Sequence, residues 1–160
     1  VRSFVACGFE SLHPDQLKEI MTEPILGFFG PYRFLSNFEY ADVEMGGNIY
    51  PTTEHAYQAA KTLHEDAREP IRTCGEPKFA KRWGSKVKMR RGWDDLKVKY
   101  MYDLNCQKYQ HAHLRDKLLA TGDAYLEETN TWDDTFWGVC NGVGRNELGN
   151  LLMQIRSEIK

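Results

Sequence analysis

The chain is poor in the residues that build metal sites and disulfide frameworks. Its four cysteines, Cys7, Cys74, Cys106 and Cys140, lie far apart and form no C-x-x-C pair. That spacing argues against a zinc knuckle or a disulfide scaffold and suits a reducing compartment. The five histidines give no ligand pattern, because His111 and His113 are two apart and point to different helix faces. Neither a metal nor a cofactor is expected. No apolar run reaches membrane-span length, and the first residues lack the hydrophobic region of a signal peptide. A soluble cytoplasmic protein is the expectation, or a nuclear one in a eukaryotic cell, and not a secreted one. Excess charge is missing as well. A net charge of −2 argues against tight non-specific binding to nucleic acid. No repeat, low-complexity tract or linker divides the 160 residues, so one domain with a real core is expected.

What is present is unevenly placed. From Pro77 to Trp93 run Lys78, Lys81, Arg82, Lys86, Lys88, Arg90 and Arg91, with no acid among them. Such a block is either a solvated basic face or a holder of phosphates. The first 24 residues read as a lead-in with a short helix from about Pro14 to Met21. Ile25 to Gly30, ILGFFG, reads as a buried strand ending at a Gly-Pro turn, and Phe38 to Tyr50 reads as a β-hairpin around Gly46-Gly47. Helices follow over Thr53 to His64, Glu65 to Thr73, Pro77 to Trp83 and Asp94 to Thr121, the last with room for a break near Gln107 to Gln110. After a Trp- and Gly-rich loop, a final helix from about Asn146 puts Leu148, Leu152, Ile155 and Ile159 on one face. The fold class is α+β: a mainly helical single domain with a small antiparallel hairpin or sheet.

Three stretches could carry chemistry. In PTTEHAYQAAK (Pro51 to Lys61), a threonine caps a helix on which Glu54, Gln58 and Lys61 fall within about 60° of one another. Ala56, Ala59, Ala60 and Leu63 cover the other side. A wet polar stripe satisfies that spacing. So does a pocket wall flanked by Tyr57, with Glu54 as general acid or base and Lys61 as phosphate ligand or amine nucleophile. In GPYRFLSNF (Gly30 to Phe38), Ser36 and Asn37 either tie a turn or, among aromatics, hold a ribose or base. In the third, Trp132 to Gly138 leads to Asn141-Gly-Val-Gly-Arg-Asn146, whose glycines permit close backbone approach before a helix N-terminus. Trp83 and Trp132 have structural packing as their simplest use.

Taken together, F-F-G-x-x-x-F-L-S-N-F (Phe28 to Phe38), Y-P-T-x-E-H-x-x-Q-A-x-K (Tyr50 to Lys61), and D-x-x-W-G with G-x-G-x-N-x-L-G-x-x-L-M-x-x-R (Asp134 to Arg156) resemble the NADAR, or YbiA-like, family. The resemblance covers residues 25–160 as one N-glycosidase domain, with 1–24 as a lead-in outside it. It implies hydrolysis of the bond between ribose C1 and an exocyclic amine. The implied substrates are ADP-ribosylated guanine, in nucleic acid or free, or phosphorylated ribosylamino-pyrimidine intermediates of riboflavin synthesis. A module that binds ADP-ribose without cleaving it is the non-catalytic alternative.

Carried over by motif, the catalytic residues are Glu54, Trp93 and Asp134, with Asp133 adjacent to the last; Lys61 is added as the candidate amine. The substrate contacts implied fall in the same motifs. They are Phe29, Gly30, Arg33, Ser36, Asn37 and Phe38 in the first, and Tyr50, Thr53, His55 and Gln58 in the second. Arg90 in the basic run and Trp137, Gly138, Gly144 and Asn146 in the last motif complete them. Val139 departs from the family pattern, where a polar or acidic residue often follows the Trp-Gly pair.

Overall fold

A computed structural model describes residues 23–160. The helix expected over residues 14–21 lies outside the described residues. In chain order the elements are β1 (Ile25–Leu26), a 3-10 turn (Gly30–Leu35), β2 (Tyr40–Met45), β3 (Asn48–Thr52), α1 (Thr53–Ala60), α2 (Glu65–Thr73), α3 (Pro77–Gly84), α4 (Trp93–Lys108), α5 (Ala112–Ala120), β4 (Leu126–Glu127), β5 (Thr129–Asn130), β6 (Val139–Cys140) and α6 (Glu147–Glu158). This is the expected α+β class. β2 and β3 form the antiparallel hairpin, with Met45 opposite Asn48. Its turn holds Gly46 and Gly47 at φ 61° and 81°, which glycine adopts without strain. Two short parallel ladders complete the strands: β1 with β4, far apart in the chain, and β5 with β6, on either side of one loop.

Thr52 caps α1: its backbone is extended and its Oγ1 accepts the His55 N–H at 3.2 Å. Every residue of α1 is buried, so a wet polar stripe is not what forms. The alanines let it pack closely against α2, α3, α4 and the hairpin. The helix stops at Ala60, before the expected His64, and the carbonyls of Lys61 and Thr62 just past its end are taken by groups outside it. The Arg90 N–H reaches Lys61 O at 2.6 Å, and Arg68 Nε donates to Thr62 O at 2.9 Å. Leu63, expected on the apolar side, is therefore exposed.

The expected strand over Ile25 to Gly30 is also shorter than its pattern. Gly27 turns left-handed at φ 81° after two strand residues, and Gly30-Pro31 starts the 3-10 turn. The long helical stretch breaks at Tyr109–His111, inside the region expected to allow it. The buried Tyr109 turns its hydroxyl to Phe34 O at 3.1 Å. Leu35, Tyr50, Leu104, Leu114, Leu118, Leu126, Leu152 and Ile155 form the centre of the core. Among the described residues Cys74, Cys106 and Cys140 form no disulfide. Among the described residues no helix is long and apolar enough to cross a membrane.

Candidate active site

α1 forms one wall of a cavity of about 520 Å³, presenting Glu54, Tyr57, Gln58 and Lys61. Glu54 is buried at the head of the helix, where its N–H donates to Asn37 O at 3.0 Å. Its Oε1 accepts the Gln58 side-chain amide at 2.7 Å, an i,i+4 pair. Burial pushes the Glu54 carboxyl up, while the Gln58 N–H and the Lys81 and Lys61 ammonium groups pull it down; Asp134 adds an upward push. Lys61, at the C-terminal end, moves the other way. Desolvation lowers its pKa, with Glu54 opposing, which raises the share of free amine.

The second wall is the 3-10 turn and the residues around it, with Phe29, Arg33, Ser36, Asn37 and Phe38 facing the cavity. α4 bolts this segment from behind. Lys108 Nζ donates to Ser36 O at 2.8 Å, Asn105 Nδ2 to Asn37 Oδ1 at 3.2 Å, and Asn37 Nδ2 approaches Met101 Sδ at 3.3 Å. Met101, Asn105 and Lys108 are spaced i, i+4, i+7, one helix face. Lys108 is fully enclosed, and desolvation lowers its pKa to about 7.

The third wall is the loop after β4. Asp134 lines the cavity while the adjacent Asp133 does not. Its Oδ1 accepts the N–H groups of Phe136 (3.2 Å) and Trp137 (2.9 Å), which aims the carboxylate. Asn130 braces the same turn, accepting from Asp134 N and donating to Asp134 O at 2.8 Å. Glu128 lies in this wall too, as does Trp132, whose ring is 58% exposed beneath the Lys81 ammonium at 5.5 Å. Of the basic run only Lys81 reaches the cavity. Structural packing, the simplest use for Trp83 and Trp132, does not hold, since both are largely exposed.

Several of the residues expected at the substrate stand one layer back. Trp93 is buried behind Tyr57, ring centroids 5.3 Å apart, and packs on Tyr100 at 5.7 Å. Arg90 stacks on Tyr100 and hydrogen-bonds its hydroxyl at 2.9 Å. His55 is enclosed. Its Nε2 lies 2.9 Å from Cys74 O, an acceptor only, so Nε2 carries the proton and Nδ1 accepts from Thr52 Oγ1 at 2.8 Å. Tyr50 and Thr53 are core residues, and Gly30 sits at the start of the 3-10 turn. Gly138, Gly144 and Asn146 back the third wall. Asn146 Oδ1 accepts the Glu128 N–H at 3.0 Å, and a Cβ on Gly138 would lie 2.1 Å from Glu128 O.

The residues that sequence reasoning missed are chiefly Glu128, Asn130, Thr129, Thr131 and Met101. Nothing in the local pattern separates Glu128 from Glu127. Among the described residues no three His, Cys, Asp or Glu side chains gather as a metal site. The arrangement suits proton transfer at a bound polar ligand, with cations Lys61, Lys81 and Arg33 within reach of an anion.

These features define a small α+β domain built around a carboxylate-lined cavity of nucleotide scale. The family model of the NADAR domain matches residues 27–160, and the chain belongs to that family. It is 38% identical over 152 residues to N-glycosidase YbiA of Shigella flexneri, covering 91% of this chain and 94% of that one. It is 35% identical to a riboflavin biosynthesis protein of Vibrio vulnificus, spanning 94% of this chain but 42% of that longer protein. The NMR structure of Escherichia coli YbiA superposes with a TM-score of 0.77 at 36% identity, over 88% of this chain and 86% of that one.

Proposed function

We propose that this protein is an N-glycosidase that hydrolyses the bond between ribose C1 and an exocyclic amine, with ADP-ribosylated guanine, in a nucleotide or nucleic acid, as its substrate. The observation that carries this reading is Glu54, buried at the head of the cavity on the same helix face as Lys61. The YbiA relatives, named as N-glycosidases, support the reaction class. Glu54 transfers a proton as the C1–N bond breaks and an oxocarbenium-like ribose forms, which water attacks. On a ring-opening route the Lys61 amine captures the resulting imine as a Schiff base, favoured by its lowered pKa. Asp134 orients water or a ribose hydroxyl. Lys81 and Arg33 meet the diphosphate. Trp93 acts through Tyr57, holding that ring against the ligand, and Arg90 fixes the Lys61 end of α1 by its N–H bond to Lys61 O.

A second reading is favoured by the riboflavin-protein relatives: the same cleavage on a phosphorylated ribosylamino-pyrimidine. Wild type and Glu54→Gln are to be incubated with ADP-ribosylated guanosine, ADP-ribosylated DNA and the ribosylamino-pyrimidine phosphate. The substrate with the highest kcat/KM decides between the readings. Equal product release by both proteins removes Glu54 from the chemistry, and ligand binding with no product release by wild type leaves a binding module as the better account. Borohydride trapping should add mass at Lys61, and no adduct eliminates the Schiff-base route.

A further inference from the structure

Glu128 belongs to no motif that pointed to this site, yet its side chain is among the most constrained in the cavity. Both of its backbone groups are fixed: the N–H donates to Asn146 Oδ1 at 3.0 Å, and the carbonyl accepts the Val139 N–H at 2.9 Å. Gly138 lies flush against it, leaving no room for a Cβ beside either Glu128 O (2.1 Å) or Glu128 Cγ (3.1 Å). Glu128 lines the cavity together with Glu54 and Asp134. Its Oε2 is buried without any hydrogen-bond partner. A buried carboxylate oxygen lacking a donor is costly, and protonation resolves the cost by turning that oxygen into an O–H donor that needs an acceptor. Glu54 differs in having a donor: burial raises its pKa as well, but its Oε1 accepts the Gln58 amide, which pulls the carboxyl back toward the ionised form.

From this geometry we infer that Glu128 is a second catalytic carboxyl, the general acid that protonates the leaving amine while Glu54 serves as the base. The inference rests on the N-glycosidase reading. The C1–N bond breaks with its electron pair going to nitrogen, which takes the Glu128 proton and leaves as the free amine. A water oxygen adds to C1 and gives its proton to the Glu54 carboxylate. Exchange with solvent then restores both groups, so one water is consumed and one hemiacetal and one amine are formed. The charged groups that bear on Glu128 are Asp134 on its own loop, Lys81 on α3, Glu54 on α1 and Lys108 on α4. Burial and Asp134 together raise its pKa to about 7, which keeps a protonated fraction at neutral pH.

The test compares two leaving groups on one sugar: ADP-ribosylated guanosine and a 4-nitrophenyl glycoside of ADP-ribose, whose leaving group needs no proton. Wild type should show kcat/KM falling above about pH 7 with the amine substrate and not with the nitrophenyl one. Glu128→Gln should lose roughly 10²–10⁴-fold in kcat on the amine substrate but close to nothing on the nitrophenyl glycoside. Glu54→Gln should be slow on both. Equal losses of Glu128→Gln on the two substrates, or an alkaline limb in wild type on both, overturn the inference and leave the N-glycosidase reading intact. Cleavage of neither substrate by wild type, nor of the ribosylamino-pyrimidine phosphate, overturns that reading itself. If the Gln variant does not fold, the wild-type profiles on the two substrates decide.

Discussion

The two walls that bring carboxyl groups to the cavity are built in opposite ways. α1 is a regular helix of eight residues whose cap, face and functional groups all lie within Thr52–Lys61. The Glu128–Trp137 wall is mostly loop, with Asp133 left-handed at φ 61°, and it is held from residues well along the chain: Val139, Gly138 and Asn146. In α1, period and capping place Glu54, with one outside bond from its N–H to Asn37 O. In the loop, side-chain-to-backbone bonds do the placing, and no periodicity announces them. Position on a regular element can be read from sequence; position on a braced loop comes from its partners.

That contrast can be tested from both sides. The largest effect should come from α1. Glu54→Gln should lower kcat by roughly 10²–10⁴-fold while leaving the thermal midpoint unchanged or raised, since an amide replaces a buried carboxyl. Loss of activity accompanied by a lower midpoint would contradict a purely chemical role. Next comes the brace of the loop. Gly138→Ala forces a methyl onto Glu128 O and should cost about 1–3 kcal/mol in urea unfolding, with loss of activity. Full activity in that variant would show that the loop's position does not matter.

Lys108, under the Ser36–Asn37 turn, gives a pH signature. Its folded pKa of about 7 lies below its ordinary 10.5, so the unfolded chain binds more protons between those limits and stability rises with pH across that window. Lys108→Met should remove a slope of at most about 1.4 kcal/mol per pH unit, read from urea midpoints at pH 7.5 and 9.5. The same slope in both proteins would refute the assignment. Thr52→Ala, the smallest change, removes the cap of α1 and should cost about 1 kcal/mol with near wild-type activity.

The sequence made the hairpin, the run of helices and the Glu54–Gln58–Lys61 face legible, because turn glycines, a capping threonine and helical spacing are local. It misplaced the end of α1, where Arg90 and Arg68 capture the carbonyls of Lys61 and Thr62, the next two residues. It misread the strand after Ile25, where a left-handed Gly27 outweighs the apolar run. At the site, the shared motifs carried Gly138, Gly144 and Asn146 over as ligand contacts, whereas they back the wall that holds Glu128. The row Met101, Asn105 and Lys108 gave no signal in the sequence, and only its contacts with Ser36 and Asn37 give it a purpose.

The contact between α3 and α1 has a mechanical consequence. Gly84 sits so close to α1 that a Cβ there would lie 2.0 Å from Gln58 Oε1, and Lys81 is three residues earlier on the same helix. Gly84 is thus a fulcrum. A single methyl at that point would tilt α3, swing the Lys81 ammonium away from the cavity, and press on the amide that steadies Glu54. Grip on the anionic end of a ligand and proton transfer at its sugar would then shift together, steered from a residue that touches neither.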